Sequence, residues 1–573
     1  MPLLKDYDVV NKPLEAYEKS GDERETLQYL KSKFEASKKA RQGKVSRWRR
    51  NEELYNGDFL KPFKLPKYKS RVVANTIHST LETIYSILTD REPKVDIMPK
   101  REDQIESAKT AQDVIESEMN KRKAYKAINM MKRDGLLYGN GFLKVSIQEG
   151  KANYTVPDPY TVFFDPLATN IQTANCVFFA TPRYVDDVKK MFPKSKDDIQ
   201  SEGSLNEYKS FIKQERDYAK SYDDQQYVTG QSPVEKSDID EYGNGQVLLI
   251  EAWYKKDDKV YLATWTGNTL LQYGLAPYGF IPLVTFKNYQ NAHSVWGKGE
   301  PEIIESLAVG TAILLSQGID NIIYHGNPAI VMSKSLAKSP GNRPTDKPGQ
   351  VFYLNNPSEQ VNRLPAGNIS ASTLPMAQTL MQMQDTVSGV HDITQGRNPS
   401  GVTASRAIQQ LQEASQQIIR AKEREVGNDA VIDIYKMSLS LFKNNYEEAI
   451  QVRKDTDAGY EFNDVNPYDL DDDLDFKYVP GSSMPESRAS RIDQALDLVQ
   501  MGLLQPDQFW MWTQRDLSQD IIKEIAQRNK AIQEEVARLQ EIINTSEDKQ
   551  EIEDAIIQLR EMTGVGQQQQ IQE

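Results

Sequence analysis

Cysteine is almost missing from this chain: Cys176 is the single one among 573 residues. No intrachain disulfide is therefore possible, and a reducing or intracellular place of assembly is expected. Histidine is nearly as scarce. His78, His293, His325 and His391 are far apart and show no metal-ligand spacing, so no zinc site is expected. Positive charge is in deficit, with 70 Lys and Arg against 83 Asp and Glu and a formal net charge of -13. That balance argues against a protein that wraps nucleic acid, which would cluster Lys and Arg on phosphates. It leaves open one that lets DNA pass without gripping it. The sequence reads as free of any run near the roughly 18 apolar residues that span a bilayer. Its first residues, MPLLKDYDVVNKPLEAYEKSGDERE, lack the short apolar core of a signal peptide. No membrane partner is expected.

Catalytic signatures are missing as well. There is no GxxxxGK[ST] phosphate loop; Gly139-Asn140-Gly141 and Gly297-Lys298-Gly299 are the nearest glycine-rich pieces, and neither has the required spacing. No HExxH and no Gly-x-Ser-x-Gly elbow occur. Asp471-Asp472-Asp473 reads as a solvated loop in preference to a cation site. Triads need only spatial proximity, so missing motifs do not exclude catalysis. The reading is nonetheless of a protein that is not an enzyme and carries no metal and no cofactor.

What is present is length for several cores, about three or four domains' worth. With 38% hydrophobic and 27% charged residues, the polar surface is large, which suits extended helices or a surface shared with copies of the same chain. Lys31 to Arg50 holds nine Lys or Arg against one acid, Glu35, with Phe34 and Trp48 interleaved. It reads as a solvated helix face, or as a surface for DNA or an acidic neighbouring subunit. Val73, Ile77, Leu81, Ile84 and Leu88 have helical spacing, ended by Pro93. One helical run is expected over Glu102 to Met131, then a hairpin of Phe142–Ile147 and Ala152–Val156 turning at Glu149-Gly150. Further strands are expected at Tyr160–Pro166, Cys176–Thr181, Val247–Tyr254, Val260–Thr266 and Ile281–Phe286, with a polar insertion at Asp197–Glu241. The fold class is α+β, predominantly helical.

From residue 300 the texture changes. Glu300 to Tyr324 is a predicted helix with the apolar stripe Ile304, Leu307, Ala308, Leu314, Leu315, Ile319 and Ile322. A small β-rich piece follows, then a helix from Ser372 or Thr373 with Pro375 in its first turn and the stripe Leu380, Met383, Val387 and Val390. Met376, Met381 and Met383 read as plain helix packing. A polar loop with Gly396, Pro399 and Gly401 leads to a long helix over Thr403 to Glu448, with Ala407, Leu411, Ala414, Ile418, Ala430, Ile434, Met437 and Leu441 on its apolar side and a bend at Gly427. An acidic linker, Asp464 to Asp475, precedes short helices and a coiled-coil-like end.

Several of these pieces, in this order, resemble the portal protein of tailed bacteriophages, similar to the portals of short-tailed phages. The matching residues are Asn51–Gly57, Val95–Pro99, Tyr138–Val145, Val156–Pro159, Phe164–Pro166, Gly297–Pro301 and Met484–Arg488. The most specific is Gly396-Arg397-Asn398-Pro399-Ser400-Gly401-Val402-Thr403-Ala404. The resemblance implies a wing over residues 1–299, a stem of two helices at 300–326 and 372–390, and a clip at 327–371 between them. It also implies a tunnel loop at 391–402, a long helix and wing return at 403–480, a crown at 481–520 and a helical barrel at 521–573. It implies a ring, usually a homododecamer, at one vertex of the virion's capsid, assembled in the host cytoplasm. Implied partners are double-stranded DNA passing through the channel, the terminase, the major capsid or scaffolding protein, and head-completion or tail adaptor proteins.

On that resemblance the DNA-facing loop residues are His391, Gln395, Arg397, Asn398 and Ser400, and the clip's partner contacts are Lys334, Lys338, Arg343 and Lys347. The physics suits a conduit. An acidic body repels the DNA backbone, and one Arg397 per subunit offers weak, exchangeable phosphate contacts. Arg397 serves equally in an intersubunit ion pair, and the clip cations serve equally as a solvated loop. The alternative reading is another ring-forming head–tail adaptor or scaffold-like structural protein, although adaptors are shorter and lack the helix–β–helix–loop–long-helix series.

Overall fold

The structure, a computed structural model, describes residues 23–195 (67 and 149 apart), 199, 246–326, 330–331, 362–363, 373–390, 416–446, 449–456, 459–480 (472 apart) and 538. The insertion expected at 197–241 (Ile199 apart), most of the expected β-rich piece, the start of the expected long helix and the expected short helices and coiled-coil-like end (Arg538 apart) lie outside the described residues. The chain divides into two units, residues 1–452 with 464–484 and residues 453–463 with 485–573.

The first unit opens with α1 (Glu23–Tyr55), α2 (Thr76–Leu88), β1 (Val95–Met98), α3 (Ile105–Lys121) and α4 (Ala124–Tyr138). A hairpin of β2 (Asn140–Gln148) and β3 (Lys151–Thr155) follows, then β4 (Val162–Phe164), β5 (Cys176–Tyr184) and α5 (Val185–Met191). Next come β6 (Gln246–Lys256), β7 (Lys259–Thr266), β8 (Thr269–Leu275), β9 (Leu283–Lys287) and α6 (Glu300–Gly326). The two-residue strands β10 (Ile330–Val331) and β11 (Asn362–Arg363) pair antiparallel ahead of α7 (Thr373–Ser388). Helix α8 (Gln417–Glu425) passes through a π turn, Val426–Val431, into α9 (Ile432–Asn445). Strands β12 (Ile450–Thr456) and β13 (Gly459–Val465) pair with each other, and β14 (Asp475–Tyr478) is the last strand described. Residues 453–456 and 459–463 of that pairing, with the exposed helical Arg538, are what is described of the second unit.

Two sheets carry the first half. One runs β4-β5-β6-β7-β8 and the other β3-β2-β9, with antiparallel neighbours throughout. The predicted turn before β3 is present, with Gly150 at φ 71. Strand β8 escaped the sequence reading because its apolar residues do not alternate and most of its side chains are half-buried. The single helix expected over 102–131 is two, since Lys123 turns left-handed at φ 57 between α3 and α4.

The basic stretch of α1 has two sides: Lys33, Lys39 and Arg47 are exposed, as a solvated face requires, while the opposite side is buried. A 33-residue amphipathic helix must bury one face, and here that face includes Leu27, Leu30, Phe34, Arg41 and Trp48. Phe34 meets the rings of Phe163 and Phe178 edge-on, at 4.9 and 5.5 Å. The Arg41 guanidinium lies over the Phe163 ring at 3.6 Å, and its Nη1 donates to the carbonyls of Pro159, Tyr160 and Val162. Much of the charge is thus consumed within the fold.

Helices α6 and α7 pack together; Ile304, Ala308 and Val390 are buried as expected, but the other end of the α6 stripe and the middle of the α7 stripe are not. The buried residues of α6 include Ile304, Ala308, Thr311, Ala312, Ser316 and Asp320, while Ile319 and Ile322 are 40% and 68% exposed. On α7 the buried residues are Ala377, Gln384 and Ser388, with Met376, Met383 and Val387 outside. The cause lies in what each helix meets. The extended segment at 70–72 brings bare backbone N–H groups to α6, so Ser70 N donates to Asp320 and Val72 N to Ser316, at 2.8 and 2.9 Å. Gln384 accepts from Thr76 Oγ1 at 2.8 Å and donates to Thr80 Oγ1, tying α7 to α2. Backbone and hydroxyl neighbours demand polar partners. By length and composition Glu300–Ile323 is also apolar enough to cross a bilayer, which corrects the reading that no such run exists.

The last corrections concern the C-terminal part. Ile419, not Ile418, is buried on α8. The acidic linker is structured: Leu470 and Leu474 are buried, Asp471 accepts from Gln104 at 2.6 Å, and Lys100 pairs with Asp473 at 2.6 Å. Strand β14 then returns to pair antiparallel with β1, Val95 opposite Tyr478.

Candidate functional site

The two glycine-rich pieces that fail as phosphate loops come together in space. Helix α4 ends at Gly139, whose φ of 92 lets its N–H reach the Gly135 carbonyl at 2.9 Å while the chain turns directly into β2. A Cβ on Gly139 would stand 2.7 Å from the Lys298 carbonyl carbon, and one on Gly297 would stand 2.4 Å from the Gly139 oxygen. Two backbones meet with no room for side chains. Asn140 seals the contact, donating to the Val295 carbonyl at 3.0 Å and accepting from Gly297 N at 2.7 Å. Asn288 does the same one layer on, its N–H on the Gly139 carbonyl and its Nδ2 on Glu300 at 3.1 Å.

Helix α1 satisfies the carbonyls that the end of α4 leaves open. Trp48 Nε1 donates to the Tyr138 carbonyl and Asn51 Nδ2 to the Leu137 carbonyl, both at 2.9 Å. Lys44 reaches the Gly297 carbonyl at 3.1 Å, and its burial holds its pKa below the ordinary lysine range. Arg47 and Arg50 pair with Glu305 of α6 at 3.1 and 2.7 Å.

At the centre sits Glu300, the first residue of α6, where a helix N-terminus favours negative charge. It is fully buried and accepts from Lys422 of α8 at 2.5 Å and from Tyr289 at 3.1 Å. The Lys422 ammonium also lies 4.3 Å from the Tyr289 ring centroid. Burial, then Glu300, raises the Tyr289 hydroxyl pKa. One ion pair therefore bonds the start of α6 to the helix that follows residues 391–415.

That stretch is gripped at both ends. Val390, where α7 finishes, and Ile419 of α8 share one apolar cluster with Leu81, Ile84 and Leu88 of α2 and Leu136 of α4. Lys132 of α4, fully buried, donates to the Leu88 carbonyl at 2.7 Å; burial lowers its pKa to about 8, against an opposing pull from Glu423. Glu423 accepts from the Tyr478 hydroxyl. Gly427 replaces the predicted bend with the π turn: the Tyr478 ring lies against it, and a Cβ there would fall 2.2 Å from the ring.

A second polar cluster lies under α1. Glu52 accepts from Tyr138 and Tyr160 hydroxyls at 2.6 and 3.3 Å. Burial raises its carboxyl from 4.5 to about 7, with the two hydroxyls opposing and Asp158 adding. Asp134 rises from 3.8 to about 7 through burial and Asp158. Such groups hold a proton in the fold that they release on unfolding, so their stabilising contribution is complete below about pH 4 and is lost as pH rises towards 7. Asp320 and Asp471, held below the usual range mainly by backbone N–H donors, lose theirs only as pH falls lower. The melting temperature is therefore expected to be higher at pH 5.5 than at pH 8, and Glu52→Gln with Asp134→Asn to flatten that difference. A melting series in matched-salt buffers checks it; an equal or larger pH 5.5 advantage in the double variant would contradict the assignment.

The predicted loop residues His391, Gln395, Arg397, Asn398 and Ser400, and the clip residues Lys334, Lys338, Arg343 and Lys347, lie outside the described residues. The junction was not anticipated. Pro301 one residue after Glu300 marks a helix start, but nothing in the sequence singles out Lys422. Most of the junction's polar groups find partners within it, although Asn51 Oδ1 and Asn288 Oδ1 are buried without one, and among the described residues no group of three His, Cys, Asp or Glu could hold a metal. A family model described as phage SU10 portal protein matches residues 26–159 and 148–568. No curated protein matches the chain.

Proposed function

The chain belongs to the phage SU10 portal protein family, and from that premise we propose that its copies close into a ring at one capsid vertex, a channel through which DNA is packaged and ejected. In this reading α6 and α7 are the stem, residues 327–371 the clip that docks the terminase and later the head-completion or tail proteins, and residues 391–402 the loop that faces DNA. The family is a structural one, and no catalytic step is invoked.

The observation that carries the reading is the exposed apolar face on the last turns of α6 and on α7. Ile319, Ile322, Met383 and Val387 face away from the chain's own core while Gln384, Ser316 and Asp320 face into it. A neighbouring copy of the same helix pair covers such a face, and a rotation that closes gives a ring. The junction supports the same reading: a stem helix rooted in interlocked backbone, and bonded through Glu300 to Lys422, gives the loop a fixed base.

Deletion of Gln395 to Ser400 tests the conduit. Rings are expected to assemble normally, because the deleted residues lie outside the faces assigned to subunit contact, while the yield of DNA-filled heads falls at least about tenfold. Normal filling with retained DNA would contradict the role of the loop, and loss of rings would make it an assembly element.

A further inference from the structure

The loop that follows α1 concentrates outward-facing cations. Lys61 to Arg71, KPFKLPKYKSR, holds five Lys or Arg and no acid. Short turns fix it: Phe63 N donates to the Leu60 carbonyl at 3.0 Å, Lys69 N to the Pro66 carbonyl at 3.1 Å, and Arg71 Nη2 to the Leu65 carbonyl at 3.1 Å. Pro62 and Pro66 restrict it further. Its ends are stapled by ion pairs, Lys61 to Glu53 of α1 at 3.1 Å and Lys69 to Asp320 of α6 at 3.4 Å. Lys64 and Arg71 remain exposed with no carboxylate partner among the described residues, and beside them Phe63 and Tyr68 are 44% and 73% exposed.

We propose that residues 61–71 form a sequence-independent contact surface for the phosphate backbone of DNA. Two features favour nucleic acid over an acidic protein neighbour. Lysine is depleted at protein–protein contacts, and cations alternating with exposed rings suit phosphate pairing together with stacking on sugars or bases. The turns and staples hold the backbone of the loop in place before binding, which lowers the ordering cost. The choice of DNA as the polyanion rests on the portal reading; the surface itself does not.

The test uses the full chain in whatever assembly it forms, with a fluorescent duplex of about 30 base pairs and a salt series from about 50 to 200 mM. Lys64→Gln with Lys67→Gln and Arg71→Gln is expected to weaken binding at low salt at least about tenfold and to reduce the salt slope by about three counterions. The reversed triple, all to Glu, is expected to weaken it further with the assembly unchanged in mass. Undiminished affinity in both variants, or no duplex binding by the parent protein, would overturn the proposal. So would dispersal of the assembly by the Glu triple, which would assign the loop to an acidic neighbour. A parent chain that stays monomeric yet loses duplex binding on substitution would keep the surface and overturn the ring.

Discussion

Replacing Lys422 with methionine is expected to destabilise the fold by about 3–5 kcal/mol, because it strands the Glu300 carboxylate in a site closed to bulk solvent. The side chains of Lys422 and Glu300 are 4% and 0% exposed, so solvent cannot rescue the orphaned charge. Asn288 and Tyr289 still donate to Glu300, which offsets part of the loss but supplies no positive charge. Adding Glu300→Gln removes the charge and leaves those donors an acceptor, and is expected to restore most of the stability. Denaturant midpoints of the two single variants and the double give the coupling directly. Equal stability of Lys422→Met and the parent would mean that the junction is open to water.

The second large effect concerns assembly. Ile322→Asp with Val387→Asp places carboxylates on residues that are 68% and 43% exposed in the isolated chain. The monomer should fold with an almost unchanged melting temperature, since surface changes of this kind usually stay within about 0.5 kcal/mol. Between subunits the same carboxylates would be desolvated beside apolar neighbours and, repeated round a ring, beside one another. Complete loss of rings is expected by sedimentation. Intact rings in this variant would move the interface elsewhere.

Much of the fold was legible because it follows from periodicity. Ile77, Leu81, Ile84 and Leu88 are buried in α2 as their spacing requires, and the β2–β3 hairpin turns where Gly150 allows it. The exposure of the stripe residues Ile319, Ile322, Met383 and Val387 on α6 and α7 has one physical origin. Periodicity reports which face is apolar, but not whether the chain itself or a copy of it does the covering. Ser316, Asp320 and Gln384 look like surface residues until the hydrogen-bonding needs of residues 70–80 are known. The charge count of α1 misses Arg41 for a related reason, since that buried guanidinium is satisfied by carbonyls distant in sequence. The junction was invisible because its parts come from residues 44–51, 137–141, 288–302 and 422, and glycine spacing alone does not reveal which backbones touch. Tyr478 against Gly427 belongs to the same class, a contact made by a return strand inside what looked like an acidic linker.

The central claim is that one copy of this chain is incomplete. Native mass spectrometry of the purified full-length protein tests it most directly. The account predicts a closed assembly at an integral multiple of the 65.3 kDa chain, a dodecamer if the family's usual count holds, that falls to monomer on Ile322→Asp with Val387→Asp. A parent protein that remains at the monomer mass across the accessible concentration range would contradict it.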